Sequence, residues 1–321
     1  MRLRLLGWTG LFMLAACGPS ASDYVDADIG GGGRDGGGGP GEFVDAGPAE
    51  ACEKMDILFV IDDSGSMSEE QGNLAMNFPD FITLINDYMT EAGDVLDYRV
   101  AITTTGRDVK WTIDLGVGFP IPFDESGANG EFLTGSGCGY TKKWLERTDP
   151  DVSGAFSCVA AALGTSGPSY EMPLLATELA FTDRVSDGTN MGFLREDALL
   201  AIVILTDEDD CSREDNDFTA TSDSCNPPLP ETVPLAQYLS FFDTLKSERG
   251  RWAMAVIAGP GPGTCTSGFG EAFEAHRLKQ FVTDVGETAV FSSICDGDLT
   301  ASLASALATF EAACDSFPPI P

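Results

Sequence analysis

Short apolar runs alternate with amphipathic stretches along most of the chain, from about residue 50 to residue 317. Continuous apolar runs predict buried strands at 56–61, 98–103, 198–206, 252–258 and 289–291. Apolar residues at helical spacing predict helices at 74–89, 170–181, 235–245, 270–284 and 299–310, the first of them broken or kinked at Pro79. This alternation predicts an α/β fold, a doubly wound, mostly parallel sheet flanked by helices.

Two segments interrupt the alternation, one near 115–165 and the other near 208–232. Both are rich in Gly, Pro and Asp and contain a cysteine pair, so they are interpreted as disulfide-stapled insertions. Beyond residue 50 the chain has eight cysteines, and an even number favours disulfides in an exported protein. Many pairings of eight cysteines are possible, and the sequence does not settle them. Nearest-neighbour logic favours Cys52–Cys314, Cys138–Cys158, Cys211–Cys225 and Cys265–Cys295.

The first 17 residues have the organisation of an export signal. Arg2 and Arg4 precede an apolar stretch of about ten residues, which is too short to cross a bilayer as a helix. The sequence Leu-Ala-Ala-Cys at 14–17 resembles a bacterial lipobox, in which Cys17 is lipidated and becomes the mature N-terminus. Because Gly18 rather than aspartate follows this cysteine, we expect anchoring in the outer membrane of the cell envelope, on its periplasmic or surface face. The alternative is a secretory signal with an incidental cysteine.

Residues 18–50 are predicted to form a flexible tether. Nine of the twelve residues at 30–41 are glycine, and apolar residues are almost absent from that stretch. Such a segment cannot offset its conformational entropy by burial. A glycine-rich coil of this length has an average reach of about 30 Å. The sequence therefore predicts a folded domain at 51–317 that is held away from a membrane by a lipid anchor and a spacer.

The charge balance excludes several classes of function. The chain has 51 acidic and 18 basic residues, a formal net charge of −33. This charge repels phosphate and excludes nucleic acid as a partner. The only histidine, His276, cannot form a multi-histidine zinc site, and neither a P-loop nor a Gly-x-Ser-x-Gly elbow is present. We therefore expect no enzyme activity, with a metal-dependent hydrolase as the remaining catalytic alternative.

Two loops rich in oxygen ligands follow predicted strands. Asp62-Asp63-Ser64-Gly65-Ser66 comes after the first strand, and Thr206-Asp207-Glu208-Asp209-Asp210 comes after the strand at 198–206. Because parallel strands end at one edge of a sheet, the two loops are expected to meet there. Carboxylates and hydroxyls suit a hard cation, with Mg²⁺ preferred and Ca²⁺ or Mn²⁺ as alternatives. A helix-capping turn at 62–66 is the competing interpretation, and the extra acids after Asp207 leave open a second cation site.

DILFVIDDSGSM, residues 56–67, resembles the first strand and metal-ion-dependent adhesion site of von Willebrand factor type A domains, and LTDEDDCS at 205–212 resembles their second metal loop. The resemblance extends over most of residues 54–312 and is closest to cysteine-rich bacterial lipoproteins. It implies that Asp62, Ser64 and Ser66 are metal ligands, and that Asp207 acts through water. The family's threonine ligand matches Thr165, with Ser169 and Glu171 as rivals.

The resemblance also implies how the domain would act. A metal with one open coordination position takes an Asp or Glu carboxylate from a protein partner and offsets its repulsion by the acidic domain. We therefore expect an adhesion or scaffolding lipoprotein of the cell envelope. A metal-stabilised structural protein without a soluble partner is the main alternative.

Overall fold

The computed structural model describes residues 52–90, 93–114, 116, 118–222, 225 and 231–318. Its strands are β1 (Lys54–Ile61), β2 (Asp97–Thr104), β3 (Val109–Ile113), β4 (Ile121–Glu125), β5 (Leu145–Glu146), β6 (Leu199–Leu205), β7 (Asp217–Ala220), β8 (Trp252–Ala258), β9 (Cys265–Ser267), β10 (Gly270–Ala272) and β11 (Ala289–Ser293). Its helices are α1 (Ser68–Asp87), α2 (Val152–Ala161), α3 (Pro173–Phe181), α4 (Asp183–Ser186), α5 (Leu235–Leu245), α6 (His276–Val285) and α7 (Thr300–Asp315). The export signal, Cys17 and the tether lie outside the described residues.

The central sheet has six strands in the order β11-β8-β6-β1-β2-β5. All neighbours are parallel except β5, which pairs antiparallel with β2. The chain places β2 on one side of β1 and β6 on the other, so the strand order reverses at β1. In open parallel sheets the loops separate at such a point and leave a crevice at the carboxyl ends of the strands.

Alternate residues of β1 enter two different hydrophobic clusters, as expected for a strand that is covered on both faces. Phe59 and its neighbours at odd positions pack with α1, α2 and α7. Leu58 and Val60 pack with α3, α5 and α6 on the opposite face. The predicted α/β class and mostly parallel sheet are therefore confirmed. None of the helices in the described part of the chain has the length and apolar character needed to cross a bilayer.

Two local predictions need correction. Pro79 does not break the helix: α1 continues through it, because its buried face, which includes Phe78, Phe81 and Ile82, offsets the hydrogen bond that proline removes. The predicted helix at 270–284 begins only at His276, since residues 270–272 form β10 and pair with β9. Phe273 N donates to Asp207 O (2.8 Å), a contact between distant segments that overrides the local helical preference.

The segments interpreted as insertions contribute to two sheets. Residues 145–146 form the edge strand β5 of the central sheet, and α2 packs in the cluster with α1. Strand β7, from the second segment, pairs with β3 in a separate sheet ordered β4-β3-β7, which the sequence analysis did not predict. Four disulfides are present, and they join the pairs that nearest-neighbour logic favours: Cys52–Cys314, Cys138–Cys158, Cys211–Cys225 and Cys265–Cys295.

Candidate metal-binding site

The loops after β1 and β6 meet at the carboxyl edge of the central sheet. Ile61 pairs with Leu205 at the ends of these strands, and Asp62 N donates to Leu205 O (2.9 Å). The parallel register therefore brings Asp62 beside Thr206, the residue before Asp207. This is the position at which the strand order reverses, so the two oxygen-rich loops occupy the crevice of the sheet.

The carboxylate of Asp62 is fully buried and held from two sides. Its Oδ1 accepts a hydrogen bond from Ser64 N (2.8 Å), which closes a tight turn after the strand. Its Oδ2 accepts a hydrogen bond from Thr206 Oγ1 (2.6 Å) in the loop after β6. Gln71 Nε2, from the first part of α1, donates to Asp62 O (2.8 Å). Asp62 is thus fixed by three separate segments before any ligand is considered.

Ser64, Ser66 and Asp207 extend this arrangement. Ser64 Oγ lies 3.4 Å from Ser66 Oγ, and the Ser66 hydroxyl partly offsets the rise in the pKa of Asp207. Burial, followed by the charge of Asp62, raises the pKa of Asp207 to about 7. Burial also raises the pKa of Asp62 to about 6, although hydrogen bonds from Thr206 and Ser64 oppose the shift. The structure therefore brings four of the predicted ligands together.

Several buried oxygens at this edge have no hydrogen-bond partner in the described structure. They are Asp63 Oδ1, Glu70 Oε2, Thr104 Oγ1, Glu171 Oε2 and Asp207 Oδ1. A buried polar atom without a partner is costly, and buried carboxylates that face one another are more so. A cation satisfies such oxygens and removes the repulsion between the carboxylates. The pair of Asp62 and Asp207, with the serine hydroxyls beside it, therefore suits a hard divalent cation.

The three rivals for the fifth ligand occupy different environments. Thr165 is exposed, although its loop contacts the β1 loop: Gly167 N donates to Asp63 O (2.7 Å). Ser169 Oγ donates to Glu125 Oε1 (2.8 Å) on β4, so its hydroxyl already has a partner. Glu171 is 1% exposed, and its pKa is raised well above the ordinary value by burial and then by Asp62. Of the three, Glu171 is the one whose pKa is raised by the charge of Asp62.

The second half of the acidic loop has structural partners. Asp209 accepts hydrogen bonds from the backbone N–H of Arg277 (2.9 Å) and Leu278 (3.2 Å) at the beginning of α6. Asp210 forms an ion pair with Arg277 (3.0 Å) and accepts from Leu174 N (3.2 Å) at the beginning of α3. Asp209 and Asp210 are therefore not free to bind a second cation in this loop.

Glu70 is a site residue that the sequence analysis missed. It lies in the first turn of α1, where acidic residues are common because they complement the helix dipole, so its position alone gave no signal. It is nevertheless 3% exposed, and an added Cβ at Gly270 would lie 1.9 Å from its Oε1. Burial and the charges of Asp207 and its own neighbours raise the pKa of Glu70 to about 7.

Within the described ranges, no group of three or more His, Cys, Asp or Glu side chains is arranged to hold a metal ion. The ligand set expected from the sequence has only two such side chains, Asp62 and Asp207, and completes its shell with serine and threonine hydroxyls. A site of this kind depends on hydroxyl ligands and on water, as a Mg²⁺ site commonly does.

The raised pKa values predict how the metal-free protein responds to pH. The folded-state pKa of Asp207, about 7, exceeds the ordinary aspartate value of 3.8. The folded protein therefore holds a proton on Asp207 more tightly than the unfolded chain does. The stabilisation from this proton is fully present below about pH 4 and is lost as the pH rises through 7. Urea unfolding in EDTA should therefore show a decline over this range, and the decline should be smaller in Asp207→Asn. Equal declines in both proteins would show that Asp207 does not carry the effect.

Comparisons with known proteins are limited to distant structures. No family model matches the chain, and no curated protein sequence matches it. Two crystal structures of proximal thread matrix protein 1 from the mussel byssus are 14% identical to it, each with a TM-score of 0.36, and the alignments cover 82% and 83% of this chain and 46% and 48% of theirs. The pilus adhesin SpaC from Lactobacillus rhamnosus GG is 10% identical, with a TM-score of 0.41, over 84% of this chain and 31% of the adhesin. The chain thus spans less than half the length of these proteins, and likeness at this level carries no argument about function.

Proposed function

We propose that this chain is an envelope-anchored domain of the von Willebrand factor type A class. In this proposal a divalent cation, Mg²⁺ in the first instance, is bound by Asp62, Ser64, Ser66 and Asp207, with Thr165 completing the protein ligands. The bound cation supplies an open coordination position for an Asp or Glu carboxylate of a protein partner. The domain then acts in adhesion or scaffolding and not in catalysis.

One observation carries the proposal. Asp207 Oδ1 and Glu171 Oε2 are buried without hydrogen-bond partners, and the charge of buried Asp62 raises the pKa of both groups. A capping turn accounts for Asp62 and Ser64, since Ser64 N donates to Asp62, but it leaves the other two carboxylates unexplained. A cation at this edge offsets the repulsion between Asp62 and Asp207 and accounts for the serine hydroxyls beside them.

The metal is tested by thermal unfolding of the purified protein in increasing Mg²⁺. A ligand that binds only the folded state stabilises it by about 2.7 kcal/mol at a hundred times its Kd. Wild type should show a saturable rise in Tm, Asp62→Ala should lose most of it, and Ser64→Ala should keep part. The matched control is Asp56→Ala, which removes a buried aspartate of the same strand that is ion-paired with Arg195 (2.8 Å).

Asp56→Ala is expected to lower the Tm yet keep the response to Mg²⁺, because Asp56 lies at the amino end of β1. Identical Mg²⁺ responses in wild type and Asp62→Ala would refute the metal site. The partner is tested by capture from envelope extracts with Mg²⁺ or with EDTA, using wild type and Asp62→Ala as bait. A protein that is retained only by wild type in Mg²⁺ supports the binding function. If Mg²⁺ stabilises the fold and capture is the same in all conditions, the metal has a structural role only.

A further inference from the structure

A cavity of about 260 Å³ opens at the amino edge of the central sheet, far along β1 from the candidate metal site. Arg251 lines the cavity and immediately precedes β8. The first residue of β8 pairs with Leu200 of β6, and the preceding residue of β6 pairs with Met55 of β1. The cavity therefore lies at the level where the chain enters β1. Its lining residues are Leu194, Glu196, Leu245, Lys246, Ser247 and Arg251.

Two cationic side chains of this cavity are almost completely buried. Lys246 is 3% exposed and Arg251 is 1% exposed. Lys246 Nζ donates to Glu196 O (3.2 Å) and Arg195 O (2.7 Å), and Arg251 Nη2 donates to the same Glu196 O (2.6 Å). Because both side chains contact one carbonyl oxygen, their charges lie close together. Arg251 Nε is buried and has no hydrogen-bond acceptor within the described structure.

The neighbouring carboxylates are already paired with other basic side chains. Asp56 accepts from Arg195 Nε (2.8 Å), and Asp197 is ion-paired with Lys54. Glu196 itself is exposed, and it contributes its backbone carbonyl oxygen to the two cations. Across the part of the chain that the structure describes, neither Lys246 nor Arg251 has a carboxylate at ion-pair distance.

Lys246 and Arg251 are buried cations without a paired carboxylate; carbonyl oxygens accept their hydrogen bonds, and the Arg251 guanidinium also lies over the ring of Phe317 (5.0 Å). Removing one charge from water without an opposite charge is unfavourable, and a second like charge beside it adds repulsion. Burial is the main reason that the pKa of Lys246 is lowered to about 8; the charge of Asp56 opposes this shift, and Arg251 adds to it. In a chain with a net charge of −33, this concentration of buried positive charge is a local exception.

We propose that this cavity binds a tetrahedral oxyanion of the phosphate class, either free phosphate or the phosphate of a lipid headgroup. The guanidinium group of Arg251, a residue that lines the cavity, offers a planar set of donors that matches phosphate oxygens. The Lys246 ammonium supplies the second charge. Leu194 and Leu245 line the same cavity and provide an apolar wall for the substituent that carries the phosphate.

The cavity opens at the edge where Cys52 leads into β1, and the candidate metal site lies at the opposite edge. The oxyanion proposal itself needs neither the lipid anchor nor the metal site.

The test is a titration of inorganic phosphate into the metal-free protein at constant ionic strength, followed by Tm and by calorimetry. Wild type should show saturable binding, and Lys246→Met and Arg251→Leu should weaken it at least tenfold. Arg249→Gln is the matched control, because Arg249 belongs to the same 3₁₀ turn, Arg249–Arg251, but pairs with Asp243 (2.5 Å) outside the cavity lining. It should bind phosphate as wild type does.

A further variant tests the proposal even if Lys246→Met and Arg251→Leu fail to fold. Ser247 is exposed at the cavity with φ of 68°, a left-handed conformation that aspartate tolerates. Ser247→Asp should raise the Tm without phosphate and abolish the response to phosphate, because its carboxylate occupies the position of the anion. No saturable phosphate response in wild type, or an unchanged response in Ser247→Asp, would overturn the proposal.

Cosedimentation with vesicles distinguishes a lipid headgroup from a soluble phosphate compound. Phosphatidylcholine vesicles with and without phosphatidylglycerol are compared for wild type and Lys246→Met. Retention that depends on phosphatidylglycerol and on Lys246 identifies a headgroup, whereas phosphate binding without retention identifies a soluble phosphate compound. Failure of both inorganic phosphate and vesicles to bind contradicts the proposal.

Discussion

Replacing both cysteines of the Cys52–Cys314 disulfide with serine should lower the free energy of unfolding by about 5–6 kcal/mol. The two residues are 262 positions apart, so the bond closes almost the whole described domain into one loop. In the chain-entropy model a longer loop restricts the unfolded chain more strongly. Both cysteines are also buried in the cluster that includes α1 and α7, so their loss disturbs packing as well.

The matched comparison is the double serine variant of Cys138 and Cys158. This pair is only 20 residues apart, and the same model gives a loss of about 3 kcal/mol. Urea unfolding of both double variants and of wild type, all without reductant, measures the two losses directly. A loss for the long loop no larger than that for the short one would show that native packing, and not restriction of the unfolded chain, decides the contribution.

The strands of the central sheet could be predicted because burial on both faces leaves a continuous apolar run. Residues 199–205 and 252–258 are buried at every position, and both strands were expected within one residue of their bounds. The sheet β4-β3-β7 could not be predicted in the same way. Strand β4 is exposed at four of its five positions, and β7 alternates between exposed and buried positions over only four residues. Its pairing with β3 is decided by tertiary contacts.

The residues of the candidate site could likewise be predicted only in part. Asp62, Ser64, Ser66 and Asp207 follow strand ends in the sequence, so parallel topology alone predicts that they meet. Glu70 reaches the site because it is buried against Gly270, which is 200 positions away in the chain. No local pattern indicates that contact. The sequence left open a second cation site at Asp209 and Asp210, and only the position of Arg277 identifies these residues as structural.

The two halves of the acidic loop should therefore respond to mutation in opposite directions. Asp210 is fully buried, pairs with Arg277 (3.0 Å) and accepts a hydrogen bond from Ser212 Oγ (2.6 Å). Asp210→Ala leaves the buried guanidinium without its carboxylate, and breaking a buried pair in this way costs about 3–5 kcal/mol. Asp207→Ala removes a carboxylate that is repelled by Asp62, so in EDTA it should raise the free energy of unfolding.

Urea unfolding in EDTA at pH 8 measures both effects on one loop. The single variant Arg277→Leu and the double variant Asp210→Ala/Arg277→Leu complete a double-mutant cycle. The double variant should recover part of the loss because no unpaired charge remains buried. In saturating Mg²⁺ the order for Asp207 should reverse, with Asp207→Ala less stable than wild type, because the aspartate then has a cation to bind. If Asp207→Ala is destabilised in EDTA as much as Asp210→Ala, then Asp207 belongs to the structural half of the loop and the cation site loses its second carboxylate.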